Sequence, residues 1–302
     1  MGRGCLVIGA AMLDIIMEID RLPVSGEDVY ARTQSMTVGG CAYNVADILK
    51  HFQTDYTLFA PVGTGMYADF IEKQLHRSGH ESPVKSEASD NGYCLCLVEA
   101  DGERTFLTLP GIECQFEKEW FARLDAGRYD AVYVSGYELE GEGGGVILDF
   151  LEKHPEYTVY YAPGPRITYI AEDKRNRMTA LSPVLHLNER EALASTGKST
   201  AEEAAAELAR QTNNTVLVTL GERGVYLWEN GDGKVVPSEK AEVVDTIGAG
   251  DSHIGAVIAA RQMGKDWEEA IRMANRVSAM VVSVKGPTLT AEEFEKGRKN
   301  DG

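Results

Sequence analysis

Asp245-Thr246-Ile247-Gly248-Ala249-Gly250-Asp251-Ser252-His253 marks how this chain is built. A strand-like run, Ala241 to Val244, comes before it. Ile254, Val257 and Ile258 follow at helical spacing. The order predicts a strand, a glycine turn and the first turn of a helix. Two glycines around an alanine leave the main chain bare. The N–H groups of a first helical turn lack intrahelical acceptors, and the helix dipole favours an anion there. Asp251 stands in that turn. A carboxylate so placed serves either as a cap or dipole partner, or as a general base beside a bound phosphoryl group.

Either side of this segment, strand-length apolar runs alternate with helix-length patterns. Cys5–Gly9, Ala131–Val134, Tyr157–Tyr160, Val184–Leu187 and Val216–Thr219 read as buried strands. Cys41, Val45, Ile48 and Phe52 share one helical face, as do Ala270, Met273, Val277, Val281 and Val284. The alternation predicts an α/β fold with a mostly parallel sheet covered by helices on both sides. Two stretches interrupt it. Residues 14–38 hold two extended runs around Pro23 and Gly26. Residues 93–109 read as a hairpin turning at Asp101-Gly102. Inserted strands of this kind form either a decorated sheet edge or a small sheet over a ligand cleft.

The chain has 302 residues, near the upper end for one hydrophobic core. Thirty Lys and Arg face 47 Asp and Glu, a net charge of −17, which argues against nucleic-acid and anionic-membrane binding. No apolar stretch is long enough to span a bilayer and the N-terminus has no secretory pattern, so a cytoplasmic location is expected. Five cysteines, an odd and sparse set, are expected to be reduced structural thiols.

Three further segments carry candidate chemistry. Gly39-Gly40-Cys41-Ala42-Tyr43-Asn44 places paired glycines before a helix, which suits either a tight turn or close backbone approach to a polar ligand. Thr219-Leu220-Gly221-Glu222-Arg223-Gly224 follows a strand and could hold a phosphate or turn a hairpin. Asn188 and Glu191, three apart, could cap a helix or hold magnesium through its waters. Two look-alikes fail. Gly197-Lys198-Ser199 lacks the earlier glycine of a P-loop, because Ala192 stands there. Gly9-Ala10-Ala11-Met12 lacks the later glycines of a dinucleotide fingerprint.

Together these segments resemble the ribokinase-like (PfkB-type) carbohydrate kinases over essentially the whole chain. Gly39 to Ala46 is similar to that family's N-terminal signature and Asp245 to Asp251 to its C-terminal one, with N-x-x-E and T-x-G-x-x-G between them. The resemblance implies a three-layer α/β/α sandwich with a mostly parallel central sheet and a small β-strand lid. It implies one kinase domain over 1–302, with lid strands inserted at about 14–38 and 93–112. It implies ATP-dependent phosphorylation of a small-sugar hydroxyl, with Asp251 as general base and Gly248, Ala249 and Gly250 as anion hole. Asp14, Gly39, Gly40, Asn44 and Glu138 match sugar contacts. Thr219, Gly221, Gly224 and Asn275 match the nucleotide region, and Asn188 and Glu191 the motif governing Mg2+ and phosphate. Asp245 and the carbonyl of Ile247 match part of a monovalent-cation site, for an ion such as K+. The lid implies a homodimer. One departure stands out: Ala162-Pro163-Gly164-Pro165-Arg166 has alanine where members often carry Asp or Asn, and keeps Arg166 as a basic residue near the phosphates. Two alternatives are a nucleoside kinase, with Tyr43, Tyr93 or Phe106 lining a base pocket, and a non-catalytic sugar-binding protein.

Overall fold

Val7 and Leu6 are neighbours in sequence, yet they belong to different cores. Val7 joins a cluster with Ile48, Leu217 and Ile254, whereas Leu6 joins Val132, Leu148 and Leu208 on the other side. This is what a strand buried on both faces requires, since successive side chains point opposite ways. The computed structural model describes residues 3–299. Its strands are β1 Gly4–Ile8, β2 Met12–Glu18, β3 Thr33–Gly39, β4 Tyr56–Phe59, β5 Tyr93–Val98, β6 Arg104–Leu109, β7 Tyr129–Ser135, β8 Thr158–Ala162, β9 Val184–Asn188, β10 Val216–Thr219, β11 Val225–Glu229 and β12 Asp232–Val236.

The main sheet has eight strands in the order β12-β11-β10-β9-β8-β7-β1-β4. The six from β10 to β4 are parallel, and β11 and β12 close one edge as an antiparallel meander. Helices Cys41–His51, Ala249–Gln262 and Trp267–Val282 contribute to the first core, and Gly144–Leu151 and Ala201–Thr212 to the second. The two inserted stretches form a separate four-stranded sheet, β3-β2-β5-β6. Its strands reach slightly further than expected at one end, from Met12 to Gly39, and stop at Leu109 at the other. Gly102 takes a positive φ of 90° at the expected hairpin turn. The outer strand β6 leaves Phe106, Leu107 and Leu109 more than half exposed.

The strand expected at Ala241 to Val244 does not form. These residues are exposed and pair with no strand, and Val244 instead donates its N–H to the carbonyl of Val282. Their β-branched composition is only a local preference, and the main-chain contact of Val244 goes to the end of helix Trp267–Val282 rather than to a strand. Gly197 closes helix Glu189–Thr196 in the left-handed conformation and leads into Ala201–Thr212, so the P-loop look-alike is a helix–helix turn. All five cysteines are free. No described helix is long and apolar enough to cross a membrane.

Candidate active site

In an open parallel sheet the crevice at the carboxyl ends of the strands is where ligands bind. A cleft of about 190 Å³ lies there. Ser135, Ala162, Asn188 and Thr219, the last residues of β7, β8, β9 and β10, line its wall. Tyr133 and His186 are further back on the same strands. Cys41, at the start of one helix, and Gly250 and Asp251, at the start of another, complete it.

Gly248 is the N-cap of helix Ala249–Gln262, with φ 76°. An added Cβ there would lie 2.7 Å from Pro287, so this position needs glycine for both conformation and space. Gly250 differs: an added Cβ would meet nothing within 4 Å, because the position faces the cleft. Asp251 follows in the first turn. Its Oδ2 accepts a hydrogen bond from Asn44 Nδ2 at 2.9 Å, and the Cys41 thiol lies within hydrogen-bonding reach. Protein surrounds most of the carboxylate, and the lost hydration raises its pKa above the ordinary aspartate value although both partners pull the other way.

Helix Cys41–His51 holds Asn44 against Asp251. The helix starts at Gly40, φ 104°, where an added Cβ would lie 2.5 Å from the Ala10 carbonyl. Asn44 is 5% exposed, and its Oδ1 has no hydrogen-bond partner among the described residues. A buried acceptor left unpaired costs about 1–3 kcal/mol, the kind of cost found at functional sites. Asp14, on β2 of the small sheet, packs its carboxyl on the bare Cα of Gly39, a place any side chain at 39 would take. Burial lifts its pKa to about 6, and no described residue hydrogen-bonds the carboxyl. Glu138 is spent differently: it accepts from Ser135 Oγ and, at 3.1 Å, from the Ala10 N–H. Those bonds tie the turn after β1 to the turn after β7.

On the cleft wall, Asn188 and Glu191 form a reciprocal capping box. Glu191 N–H donates to Asn188 Oδ1 at 2.8 Å and Asn188 N–H to Glu191 Oε2 at 3.0 Å. The capping role and a place in the cleft wall thus coincide. Thr219 ends β10, and Gly221 and Gly224, with φ 61° and 100°, shape the turn into β11, so the hairpin is present too. Asn275 is buried and donates to the Pro237 carbonyl at 2.9 Å. Its Oδ1 lies 3.2 Å from His253 Nε2, and His253 Nδ1 lies 2.9 Å from His186 Nε2. Desolvation pushes both imidazoles down, His253 to about 4. As neutral rings they form a directed chain, with His186 donating to His253 and His253 donating to Asn275.

Asp245, expected beside a cation, instead accepts from Arg104 Nη1 at 2.7 Å, from Ile247 N–H at 3.0 Å and from Gly286 N–H at 3.1 Å. Arg166 is likewise engaged, with Nε and Nη2 both 2.5 Å from Glu140. Among the described residues no Lys or Arg lines the cleft, while two carboxylates, Asp251 and Glu191, do. Hard oxygen donors without a competing cation suit magnesium held through water. No group of three or more His, Cys, Asp or Glu that could hold a metal ion occurs among the described residues.

Of the aromatics expected around a nucleobase, Tyr43 is buried with its hydroxyl 3.0 Å from Ser78, Tyr93 packs on Tyr67, and Phe106 is exposed on the small sheet. None lines the cleft; Tyr133 and Tyr137 do. Nothing in the local sequence marks Tyr133, Tyr137, Ser135 or His186, beyond the places of Tyr133 and His186 inside expected strands. Nothing local marks Arg104, which meets Asp245 across 141 residues.

A parallel sheet of this order, with a four-stranded sheet beside its ligand-binding edge, has the architecture of the ribokinase-fold kinases. Solved structures support this. Ribokinase from Thermotoga maritima superposes with a TM-score of 0.86 at 23% identity, covering 99% of this chain and 100% of that one. Arabidopsis thaliana ribokinase complexed with ribose and ATP gives 0.82 at 23%, covering 99% of each. The "Uncharacterized sugar kinase YegV" of Escherichia coli (strain K12) is 34% identical, over 99% of this chain and 95% of its own. The family model described as "pfkB family carbohydrate kinase" matches residues 3–293. The chain belongs to the pfkB family of carbohydrate kinases and is a phosphotransferase acting on sugar hydroxyls.

Proposed function

We propose that the protein transfers the γ-phosphoryl group of ATP to a hydroxyl of a free monosaccharide, with Asp251 as general base. The observation that carries this is the desolvated Asp251 carboxylate at the mouth of a bare glycine turn, oriented by Asn44 and open to the cleft. A carboxylate whose pKa is raised by lost hydration is a stronger base toward an alcohol. Gly248, Ala249 and Gly250 form the anion hole, where first-turn N–H groups meet the charge of the moving phosphoryl. Asp14, with its free carboxyl, and the Gly39–Gly40 turn receive the sugar hydroxyls. Thr219, Gly221 and Gly224 hold the nucleotide phosphates, and Asn275 acts from behind through the two histidines.

Magnesium, when bound, supplies the positive charge that the cleft lacks, and Asn188 and Glu191 are placed to hold it through water. Arg166 is committed to Glu140, so main-chain N–H groups remain the protein's own contribution. The four-stranded sheet serves as a lid that excludes water during transfer. The whole chain works as one kinase domain. A pair of such chains would cover Phe106, Leu107 and Leu109 by joining lid to lid. A free sugar is favoured over a nucleoside because the matching family is described as carbohydrate kinases and the Escherichia coli relative as a sugar kinase. An ATP-consumption screen of free sugars and nucleosides in parallel tests this: turnover with a monosaccharide alone is expected, and turnover with nucleosides alone contradicts it.

A further inference from the structure

Asp245 is 6% exposed and lies six residues before Asp251, at the entry to the glycine turn. A cation site there would need oxygen donors around the carboxylate. The contacts present are of the opposite kind. Arg104 Nη1 and the Ile247 N–H meet Oδ1, and the Gly286 N–H meets Oδ2. Among the described residues every partner of this carboxylate is a hydrogen donor, and one carries a full positive charge. A monovalent ion does not fit this donor set. Arg104 is not part of the loop that it neutralises: it begins β6, the outer lid strand, and pairs with Val98 of β5. A second contact runs the same way, from Lys285, next to Gly286, to Glu18 at the end of β2, 3.6 Å apart. The lid therefore grips the loops around Asp245 from two of its strands.

We propose that Arg104 is a positioning residue whose guanidinium stands where a monovalent cation would otherwise sit. It neutralises Asp245, fixes the loop from Asp245 to Gly248 and so aims the glycine turn, while fastening the lid to that loop. A tethered guanidinium cannot exchange with solvent as an ion does, so turnover needs no K+. The catalytic consequence rests on the kinase reading above, whereas the exclusion of the ion does not.

The test combines thallium-205 NMR, with Tl+ as the K+ probe, and turnover in KCl against tetramethylammonium chloride at equal ionic strength. For the wild type we expect no saturable Tl+ site and the same rate in both salts. Arg104→Ala is expected to gain a saturable Tl+ site and, without K+, to lose about ten- to hundred-fold in kcat. K+ or guanidinium ion should restore part of that loss, with KM for ATP little changed. Arg104→Lys should keep most activity without K+. A saturable Tl+ site in the wild type, K+ activation of the wild type, or an undiminished kcat for Arg104→Ala without K+ would each overturn the proposal. If Arg104→Ala does not fold, the wild-type titration and Arg104→Lys still decide it. If no acceptor is phosphorylated, the kinase reading fails, but the thallium titration still decides ion exclusion.

Discussion

Asn44 Nδ2 and Asp251 Oδ2 lie 2.9 Å apart although 207 residues separate them in the chain. The bond joins the starts of two helices and makes the carboxylate's environment depend on the N-terminal glycine pair. Removing the donor in Asn44→Ala should raise the Asp251 pKa further, because burial would then act with less opposition. The base works ionised, so activity is lost as pH falls through its pKa. The acid limb of kcat/KM should therefore move to higher pH in Asn44→Ala. The loss at neutral pH should be about ten- to hundred-fold, the rate equivalent of a hydrogen bond to a charged group. An unmoved acid limb would show that Asn44 does not tune the base.

The glycines of the turn should respond differently to alanine. Gly250→Ala puts a methyl group into open space on the cleft side, so the protein should keep its Tm while kcat falls about 10²-fold or more, because the methyl would keep the phosphoryl from the first-turn N–H groups. Gly248→Ala meets Pro287 and a positive φ and should lower both Tm and activity. Full activity in Gly250→Ala would remove the anion hole from the account. Thermal melts paired with initial rates provide the readout.

Asp14 has a pKa of about 6, raised by burial. Above that pH the carboxylate can accept hydrogen bonds from a sugar, and below it a proton takes one of its oxygens. KM for the acceptor should rise as pH falls through about 6, and Asp14→Asn should show a raised, pH-flat KM across that window. Stability should run the other way. A carboxyl with a raised folded-state pKa favours the folded form most below the unfolded value, and that contribution is lost as pH rises through 6. Asp14→Asn should thus melt higher than the wild type at pH 7.5 and alike at pH 4. A KM for the wild type that is constant from pH 5 to 7 would contradict the sugar-contact role.

Phe106, Leu107 and Leu109 are exposed apolar residues on β6, the edge strand of the small sheet, with Leu107 and Leu109 on one face. Light scattering at working concentration should give a dimer mass, and Leu107→Lys should shift it to a monomer without lowering Tm. A wild-type monomer would leave these residues as surface.

The layered fold was legible because strand and helix periods alternate along the chain, and five expected strands lie within two residues of their places. Cys5 to Gly9 shows why: an unbroken apolar run has meaning only when both faces of a strand are covered. Ala241 to Val244 shows the limit, because its residues favour a strand locally but Val244 bonds to the end of a helix instead. The glycine turns were legible since positive φ and close approach leave a mark on residue type. Arg104, Tyr133 and His186 were not. Their meaning depends on which side chain arrives from a distant strand, and no local pattern encodes the pairing of Arg104 with Asp245. Arg166 was legible as a basic residue, but its commitment to Glu140 was not, for the same reason.

The most direct measurement is the turnover of Asp251→Asn with the acceptor found in the screen, alongside nucleotide affinity. The account predicts a fall of about 10²–10⁴-fold in kcat, the usual share of a general base, with ATP binding intact. Near-normal turnover by the folded variant would contradict it.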